Sequence, residues 1–458
     1  MPELPEVETV RALLDSALKG ETIRKVHVFY DGLIKGDVAR FKELSSGATI
    51  ASVKRKGKML RIVLSNGASI YSHLRMEGRY YIGAPGDRSR KHDRCEFDFA
   101  SGKALYYNDS RKFGRMEMVA EGEVSPFDSL GPEPFAMEPS LLVAKLQGKS
   151  ISIKSALLDQ SIVSGIGNIY ADETLFAARI SPLEKAKDIT LEQAKDILEE
   201  CSRIMNTAIE EGGSTIRSYH PSEGVDGLMQ LQLQVYDKPN FPCPRCFFPL
   251  HKIFLSGRGT TYCPICQKLD SRPFVLGITG PIHVGKSTAS RYFAGKGYSL
   301  FDADECVKSL YLRKDVKKQI IHLFGRKSYQ NGKPDFAYIR GIAIDKKKKE
   351  ALEKILHPLV REEAKRLIAS KKGDGKVLLD VPLLFPSNMD GLCDATILID
   401  APIEMREKRL LEEGKDAKAL LRLNKSYPLS LARGKATFRI NNSGSMAEFL
   451  SKLEELPL

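Results

Sequence analysis

Four cysteines stand in two tight pairs, Cys243-Pro-Arg-Cys246 and Cys263-Pro-Ile-Cys266, sixteen residues apart. Thiolates at this spacing close a tetrahedral Zn2+ site of the structural kind, with no ligand position left for water. A second pattern, Gly280-Pro-Ile-His-Val-Gly-Lys-Ser287, fits the phosphate-cradling loop G-x-x-x-x-G-K-[ST]. Its backbone amides, with Gly280 and Gly285 allowing close approach, would hold the phosphates of ATP. Lys286 would reach the outer phosphate oxygens, Ser287 would hold Mg2+, and Thr288 would follow in the helix that the loop opens. The third candidate is the beginning of the chain. Once Met1 is removed, Pro2 is a free secondary amine, about 2.5 pK units less basic than a lysine. More of it is unprotonated near neutrality and able to attack carbon, and Glu3 beside it can carry a proton. Pro2 and Pro5 also suit the start of a helix, so these residues alone leave chemistry and simple helix initiation equally open.

The elements that must position these groups read as follows. Residues 5–19 carry apolar Val7, Val10, Leu14 and Leu18 at helical spacing and end at Gly20. Short strands follow at Thr22–Tyr30, Thr49–Val53, Met59–Leu64, Ser69–His73, Arg94–Phe99 and Leu105–Tyr107, separated by glycine-containing turns. This pattern predicts a β-sandwich carrying one N-terminal helix. From Glu138 to Gly212 the signal is helical, broken at Ser164-Gly-Ile-Gly167 and near Pro182. Residues 239–268 form the cysteine module and 269–273 a linker. From Phe274 strands and helices alternate, as in a parallel-sheet α/β fold. The expected division is therefore 1–125, 126–238, 239–268, the linker 269–273, and 274–458.

A chain of 458 residues has room for several such domains. No apolar run approaches the roughly 20 residues of a membrane span, and the acidic opening is unlike a secretory leader; a cytoplasmic protein is expected. The formal charge of +13 is unevenly shared. Residues 1–272 hold 37 Lys+Arg against 35 Asp+Glu, whereas residues 273–458 hold 34 against 23. Nucleic-acid binding by the first part must rest on local clusters such as Lys54-Arg-Lys-Gly-Lys58. The run Lys346–Lys349, taken by itself, reads as a solvated helix face.

Residues 1–268 resemble the formamidopyrimidine-DNA glycosylase family. The matching pieces are Pro2-Glu-Leu-Pro-Glu-Val-Glu-Thr9, Lys56-Gly-Lys58, His73-Leu-Arg-Met-Glu-Gly78, Lys91-His-Asp93, Asp109-Ser-Arg-Lys-Phe-Gly114, Leu130-Gly-Pro-Glu-Pro134, Gly165-Ile-Gly-Asn-Ile-Tyr-Ala-Asp-Glu173 and the four-cysteine module. The resemblance implies a base-excision enzyme on damaged double-stranded DNA, monomeric on its substrate. Pro2 would attack C1′ of an oxidised purine nucleotide, and β and δ elimination would follow a Schiff base. Glu3 would be the general acid/base, with Glu6 in support. Lys58 and Arg258 would grip backbone near the chemistry, and Met76, Arg111 and Phe113 would fill the gap left by an everted base. His92, Asn168 and Tyr236 would contact DNA, Lys154 would lie close to the lesion pocket, and Ser218–Met229 would be a loop over the everted base. An endonuclease VIII-like preference for oxidised pyrimidines is the competing reading.

Residues 274–458 resemble dephospho-coenzyme A kinase. The carriers are the phosphate loop, Phe301-Asp-Ala-Asp304, Leu356-His-Pro-Leu359, Val381-Pro-Leu-Leu-Phe385 and Ile440-Asn-Asn-Ser-Gly444. The resemblance implies transfer of the ATP γ-phosphate to the ribose 3′-hydroxyl of dephospho-CoA, with Asp304 as base and Asp302 and His357 on the acceptor side. This part departs from the family pattern at Pro281-Ile-His-Val284, Pro386, Glu413 and Thr437. Arg406, Arg409 and Arg422 would remain for a lid. A nucleotide-holding appendage without efficient turnover is the competing reading here.

Overall fold

The opening residues fold as helix α1, Leu4–Leu18, and α1 touches two different cores. Leu4 packs among the apolar residues of a helical core, while Val7, Val10, Leu14 and Leu18 pack into the core of a β-sandwich. Glu3 and Glu6 cap the helix reciprocally: each side chain accepts a backbone N–H at the other's position, satisfying donors that a helix start leaves orphaned. The computed structural model describes all residues except Met1, Arg88, 213–231, 270–271, Ile344, 372–374, Glu413 and 415–426. The expected lid loop Ser218–Met229 and the lid positions Glu413 and Arg422 thus lie outside the described residues. Contacts divide the chain into two units, Met1–Gln267 and Lys268–Leu458.

The sandwich uses nine strands: β1 Ile23–Val28, β2 Ile34–Lys35, β3 Ile50–Lys56, β4 Met59–Leu64, β5 Ser69–His73, β6 Arg79–Gly83, β7 Asp93–Phe99, β8 Ala104–Asn108 and β9 Arg115–Val119. One sheet has the order β1-β7-β8-β6, the other β2-β9-β5-β4-β3. The strand β4 alternates half-buried and buried positions, as expected of a sheet with one face on the core. A second helix of this layer, α2 (Val38–Ser45), was not expected from the sequence. Half of its side chains are polar, and only Phe41 and Ser45 are buried along it. Strands β6 and β9 were also unforeseen, each following immediately on a glycine turn.

The helical layer comprises α3 Pro139–Leu146, α4 Ile153–Leu157, α5 Asn168–Ala177 and α6 Leu191–Glu210. The cysteine module contributes a hairpin of β10 His251–Leu255 and β11 Arg258–Tyr262. Its two-residue turn places Ser256 and Gly257 both at positive φ, the geometry that tight hairpins require.

The second unit is built on a parallel sheet of β12 Phe274–Thr279, β13 Tyr298–Asp302, β16 Lys376–Asp380, β17 Ala395–Asp400 and β18 Phe438–Asn441, in the order β13-β16-β12-β17-β18. The central strand β12 is buried at all six positions, as a parallel strand covered on both faces must be. Two short strands, β14 Tyr329–Gln330 and β15 Lys333–Pro334, form a separate ribbon. Helices α7 Lys286–Gly295, α8 Ala303–Leu310, α9 Lys314–Phe324, α10 Phe336–Ile342, α11 Lys346–Ser370 and α12 Ile403–Glu412 complete the layers used below.

Candidate active sites and zinc centre

Pro2 and Glu3 are buried, and Glu3 is only 2% exposed. Its carboxylate sits at the N-terminus of α5, accepting the N–H of Ile169 at 3.0 Å and of Tyr170 at 3.4 Å. A helix N-terminus favours a negative charge at this point. The Glu3 backbone N–H donates to Glu6 Oε2 at 2.7 Å, and the Tyr170 hydroxyl donates to Glu6 Oε1 at 2.8 Å. The Leu4 N–H meets the Gly165 carbonyl at 3.2 Å. The glycine turn Ser164–Gly167 is thereby explained. A Cβ on Gly167 would lie 2.2 Å from the Glu3 carboxyl carbon, and one on Gly165, whose φ is +100°, would overlap the Leu4 side chain. The turn is glycine-rich because the start of the chain is pressed against it.

Lys58, 7% exposed, shares this enclosure. Burial pushes its ammonium below the ordinary lysine range, against the pull of Glu3, while burial pushes the Glu3 carboxyl upward against the pull of Lys58. Arg258 further lowers Lys58 by charge repulsion. Pro2, Glu3, Lys58 and Arg258 therefore converge: a buried proline, a buried carboxylate and two basic side chains.

Within the basic stretch Arg55 and Lys56 are committed elsewhere, while Lys54 is exposed. Arg55 binds Glu8 at 2.8 Å and both oxygens of Glu133, and Lys56 donates to the Phe127 and Leu130 carbonyls at 2.9 and 3.0 Å. Arg55 and Lys56 fasten the sandwich to the loop leading into the helical layer rather than forming an open cationic face.

Met76 and Phe113 are 36% and 48% exposed, unusual for such side chains, and the Arg111 guanidinium lies 4.9 Å over the Phe113 ring. Their loops are held in shape from beneath. Buried Asp109 accepts the N–H of Arg111 at 2.9 Å and of Gly114 at 2.7 Å, and the Ser110 hydroxyl donates to Glu77. His92, exposed and at φ +77°, accepts the Asp109 N–H through its carbonyl at 3.1 Å. The structure thus brings Met76, His92, Arg111 and Phe113 onto neighbouring loops.

The structure sets Lys154, expected to lie close to the lesion pocket, inside the protein. It is fully buried, with Nζ 2.6 Å from Asp172 Oδ1, 3.0 Å from the Gly259 carbonyl and 2.8 Å from Thr260 Oγ1. Nζ thus donates two hydrogen bonds and pairs with one carboxylate. Asp172 also accepts the Thr261 N–H at 3.0 Å, and Asn168 Nδ2 donates to the same Gly259 carbonyl at 3.0 Å. Lys154 and Asp172 are a strut tying the hairpin that bears exposed Arg258 to α4 and α5. Asp172 was missed in the sequence, although an acid inside the apolar run Ile169–Phe176 signals a buried partner. Glu173, next to it, accepts the backbone N–H groups of Gln234, Val235 and Tyr236 at 2.8–2.9 Å, which sets the Tyr236 segment. Replacing Asp172 by Asn leaves a buried ammonium uncompensated and should destabilise the first unit by about 3–5 kcal/mol. Calorimetric unfolding of the variant would show it, and a loss below about 1 kcal/mol would remove the strut from this account.

The four cysteine sulfurs lie within 4.8 Å of one another, with Cys243–Cys266 at 3.8 Å and Cys246–Cys263 at 3.4 Å. Four thiolates about 2.3 Å from Zn2+ stand about 3.8 Å apart, so the cluster fits a tetrahedral ion. Backbone N–H groups of Arg245 and Cys266 point at Cys243 and Cys263 sulfur, each at 3.4 Å, as donors to thiolate. Zn2+ here closes the module. Arg245 joins it to α5, donating to the last-turn carbonyls of Phe176 and Ala177 at 2.6 and 3.0 Å.

In the second unit, Gly285 caps α7 at φ +101°, and Lys286 Nζ rests on the Gly280 and Pro281 carbonyls at 2.9 and 3.1 Å. A cleft of about 700 Å³ opens here, lined among others by Lys286, Ser287, Thr288, Asp302, Asp304 and Asp380. Strand register sets Asp302 level with Asp380 at the C-terminal edge of the sheet, where ligands of open α/β sheets bind. Burial raises Asp304 and Asp380 above the usual carboxylate range, and the Ser290 hydroxyl donates to Asp380 at 2.7 Å. Asp380 was not singled out in the sequence; its place at a strand end beside the phosphate loop was the available signal. An adjoining apolar pocket contains both Asp304 and His357. Arg406 and Arg409, expected to remain for a lid, donate to the Ile282 and His283 carbonyls of the phosphate loop, and Arg409 also lines the cleft. Thr437 hydrogen-bonds Thr396 and so joins β18 to β17.

A sandwich seated on helices with a four-thiolate module, followed by a P-loop sheet, defines a DNA glycosylase fold joined to a small-molecule kinase fold. Residues 1–116 match the family model of the formamidopyrimidine-DNA glycosylase N-terminal domain, and residues 130–220 its H2TH domain. Residues 274–448 match the dephospho-CoA kinase model. Formamidopyrimidine-DNA glycosylase of Bacillus cereus is 43% identical over 274 residues, spanning 58% of this chain and 99% of the relative. That of Lactobacillus helveticus is 42% identical over 272 residues, with the same coverage. The Lactococcus lactis Fpg complexed with DNA containing an abasic site superposes with a TM-score of 0.55 at 36% identity, over 58% of this chain and 100% of that one. The chain belongs to the formamidopyrimidine-DNA glycosylase family and carries a dephospho-CoA kinase domain behind it.

Proposed function

We propose that this is a bifunctional enzyme: a base-excision glycosylase and AP lyase for oxidised purines in duplex DNA, fused to an ATP- and Mg2+-dependent dephospho-CoA kinase. The observation that supports the first half is the buried Pro2, an imino terminus once Met1 is removed, beside buried Glu3 and Lys58. Pro2 nitrogen, freed of Met1, forms a bond to C1′ as the C1′–base bond breaks, and the departing base takes a proton. The sugar ring opens to an iminium, loss of a C2′ proton expels the 3′ phosphate, and the following elimination expels the 5′ phosphate. Glu3 moves protons at this centre, and Lys58, Asn168, Tyr236 and Arg258 hold the backbone. Met76, Arg111 and Phe113 occupy the gap, with His92 beside them. Zn2+ held by Cys243, Cys246, Cys263 and Cys266 would stiffen the module that bears Arg258, with no ligand position left for chemistry.

For the second half, Gly280, Gly285, Lys286, Ser287 and Thr288 hold ATP and Mg2+, and Asp304 takes the proton of the dephospho-CoA 3′-hydroxyl. Asp304 supports this role because it belongs to both the phosphate cleft and the pocket that contains His357. Substrates of this kind support a cytoplasmic location. Excision from duplexes bearing 8-oxoguanine opposite cytosine, compared with thymine glycol, tests the lesion class; faster release of the pyrimidine lesion would overturn the purine assignment.

A further inference from the structure

Residues 313–354 hold 13 Lys+Arg against 5 Asp+Glu, eight of the excess of eleven carried by residues 273–458. The fold gathers them at one corner of the second unit. Helix α9 packs on α11 through Val316, Ile320, Phe324, Leu356 and Val360. The turn Arg326–Ser328 joins α10 through the Asp335 N–H to Ser328 carbonyl bond at 2.9 Å, and Tyr338 donates to the Phe324 carbonyl at 3.5 Å. Arg326, Lys327, Arg340, Lys346, Lys347 and Lys348 are all exposed. None has a carboxylate within ion-pair distance among the described residues. Three of them occupy the first turn of α11, where the helix dipole opposes cations, so the fold itself gains nothing from them.

We infer that this corner is a second DNA-contacting surface, one that holds the phosphate backbone of undamaged duplex without reading sequence. The inference rests on the reading that the first unit works on DNA. Residues 1–272 hold 37 Lys+Arg against 35 Asp+Glu, so residues 273–458 supply most of the net long-range attraction to a polyanion. The chemistry of the corner narrows the partner. Among the described residues of 313–354 no large apolar or aromatic side chain is exposed. Single-stranded nucleic acid is bound by aromatic stacking and membrane surfaces by apolar insertion, whereas duplex phosphates need cations alone. None of these six residues lines the phosphate cleft, so the surface is separate from the kinase chemistry.

The test uses the full chain and its K346Q/K347Q/K348Q variant, with an undamaged duplex of about 30 base pairs and fluorescence anisotropy. Removing three phosphate contacts should flatten the plot of log affinity against log salt by about 2.7, so the wild type loses about 40-fold more affinity than the variant between about 50 and about 200 mM salt. Excision from a short lesion duplex and phosphorylation of dephospho-CoA should stay unchanged, which also reports that the variant is folded. R326Q/K327Q should flatten the slope independently, by about 1.8. Slopes equal to wild type in both variants overturn the inference. So does tighter binding to phosphatidylcholine vesicles containing phosphatidylserine than to duplex. If wild type fails to excise any lesion while its slope is steep, the glycosylase reading falls and this surface stands. If excision is intact and the slopes do not change, only this inference falls.

Discussion

Pro2→Gly should abolish the covalent adduct that borohydride traps between the protein and an 8-oxoguanine duplex, lowering single-turnover excision by at least about 10³-fold, or ~4 kcal/mol of barrier. Glycine leaves an amine at the same point of the chain but removes the ring that fixes its approach. The enclosure formed by Glu3, Lys58 and the turn Ser164–Gly167 is shaped for the ring-bearing residue: Pro2 is buried and Glu3 is bound at both ends. Protein that retains Met1 should behave the same way, because an acylated nitrogen has no lone pair to give. Mass spectrometry of the trapped peptide decides the matter, and an adduct located on Lys58 instead of Pro2 would overturn the assignment. The choice is real, since Lys58 shares the enclosure and burial pushes its pKa below the ordinary lysine range.

Lys286→Ala should lower phosphorylation of dephospho-CoA by about 10³-fold, again ~4 kcal/mol, while excision by the same preparation is unaffected. In the present arrangement Lys286 Nζ is parked on two carbonyls of its own loop, and Asp304 and Asp380 stand across the cleft. ATP phosphates supply better partners than those carbonyls. The unusual interior Pro281-Ile-His-Val284 is supported by Arg406, Arg409 and Asn442, the last through its amide on the Val284 carbonyl at 2.8 Å. A steady-state assay on wild type showing no turnover at all would favour the nucleotide-holding alternative.

Much of this was legible in the sequence because the informative residues are local. The cysteine pairs and the phosphate loop are short runs whose spacing encodes their geometry. Strands β4 and β5 ended where their flanking turns said they would. What stayed hidden was long-range. Lys154 looks like a solvent-facing cation until Asp172 and Thr260 are seen around it, and they are 18 and 106 residues away. Arg55 and Lys56 look like part of a nucleic-acid face until Glu133 and the Phe127 carbonyl claim them. The corner of Arg326 and Lys346 reads as scattered charge until α9 and α11 pack together. Helix α2 escaped notice because it buries only two side chains along its length.

The clamp on Glu3 has a consequence for the life of the protein. The amides that seat it, at Ile169 and Tyr170, are 166 and 167 residues downstream. A ribosome must therefore deliver the helical layer before the chain's first residue can be aligned for attack. An unfinished or miscollapsed polypeptide carries the reactive amine but no means of aiming it, so the genome is spared strand scission by immature enzyme.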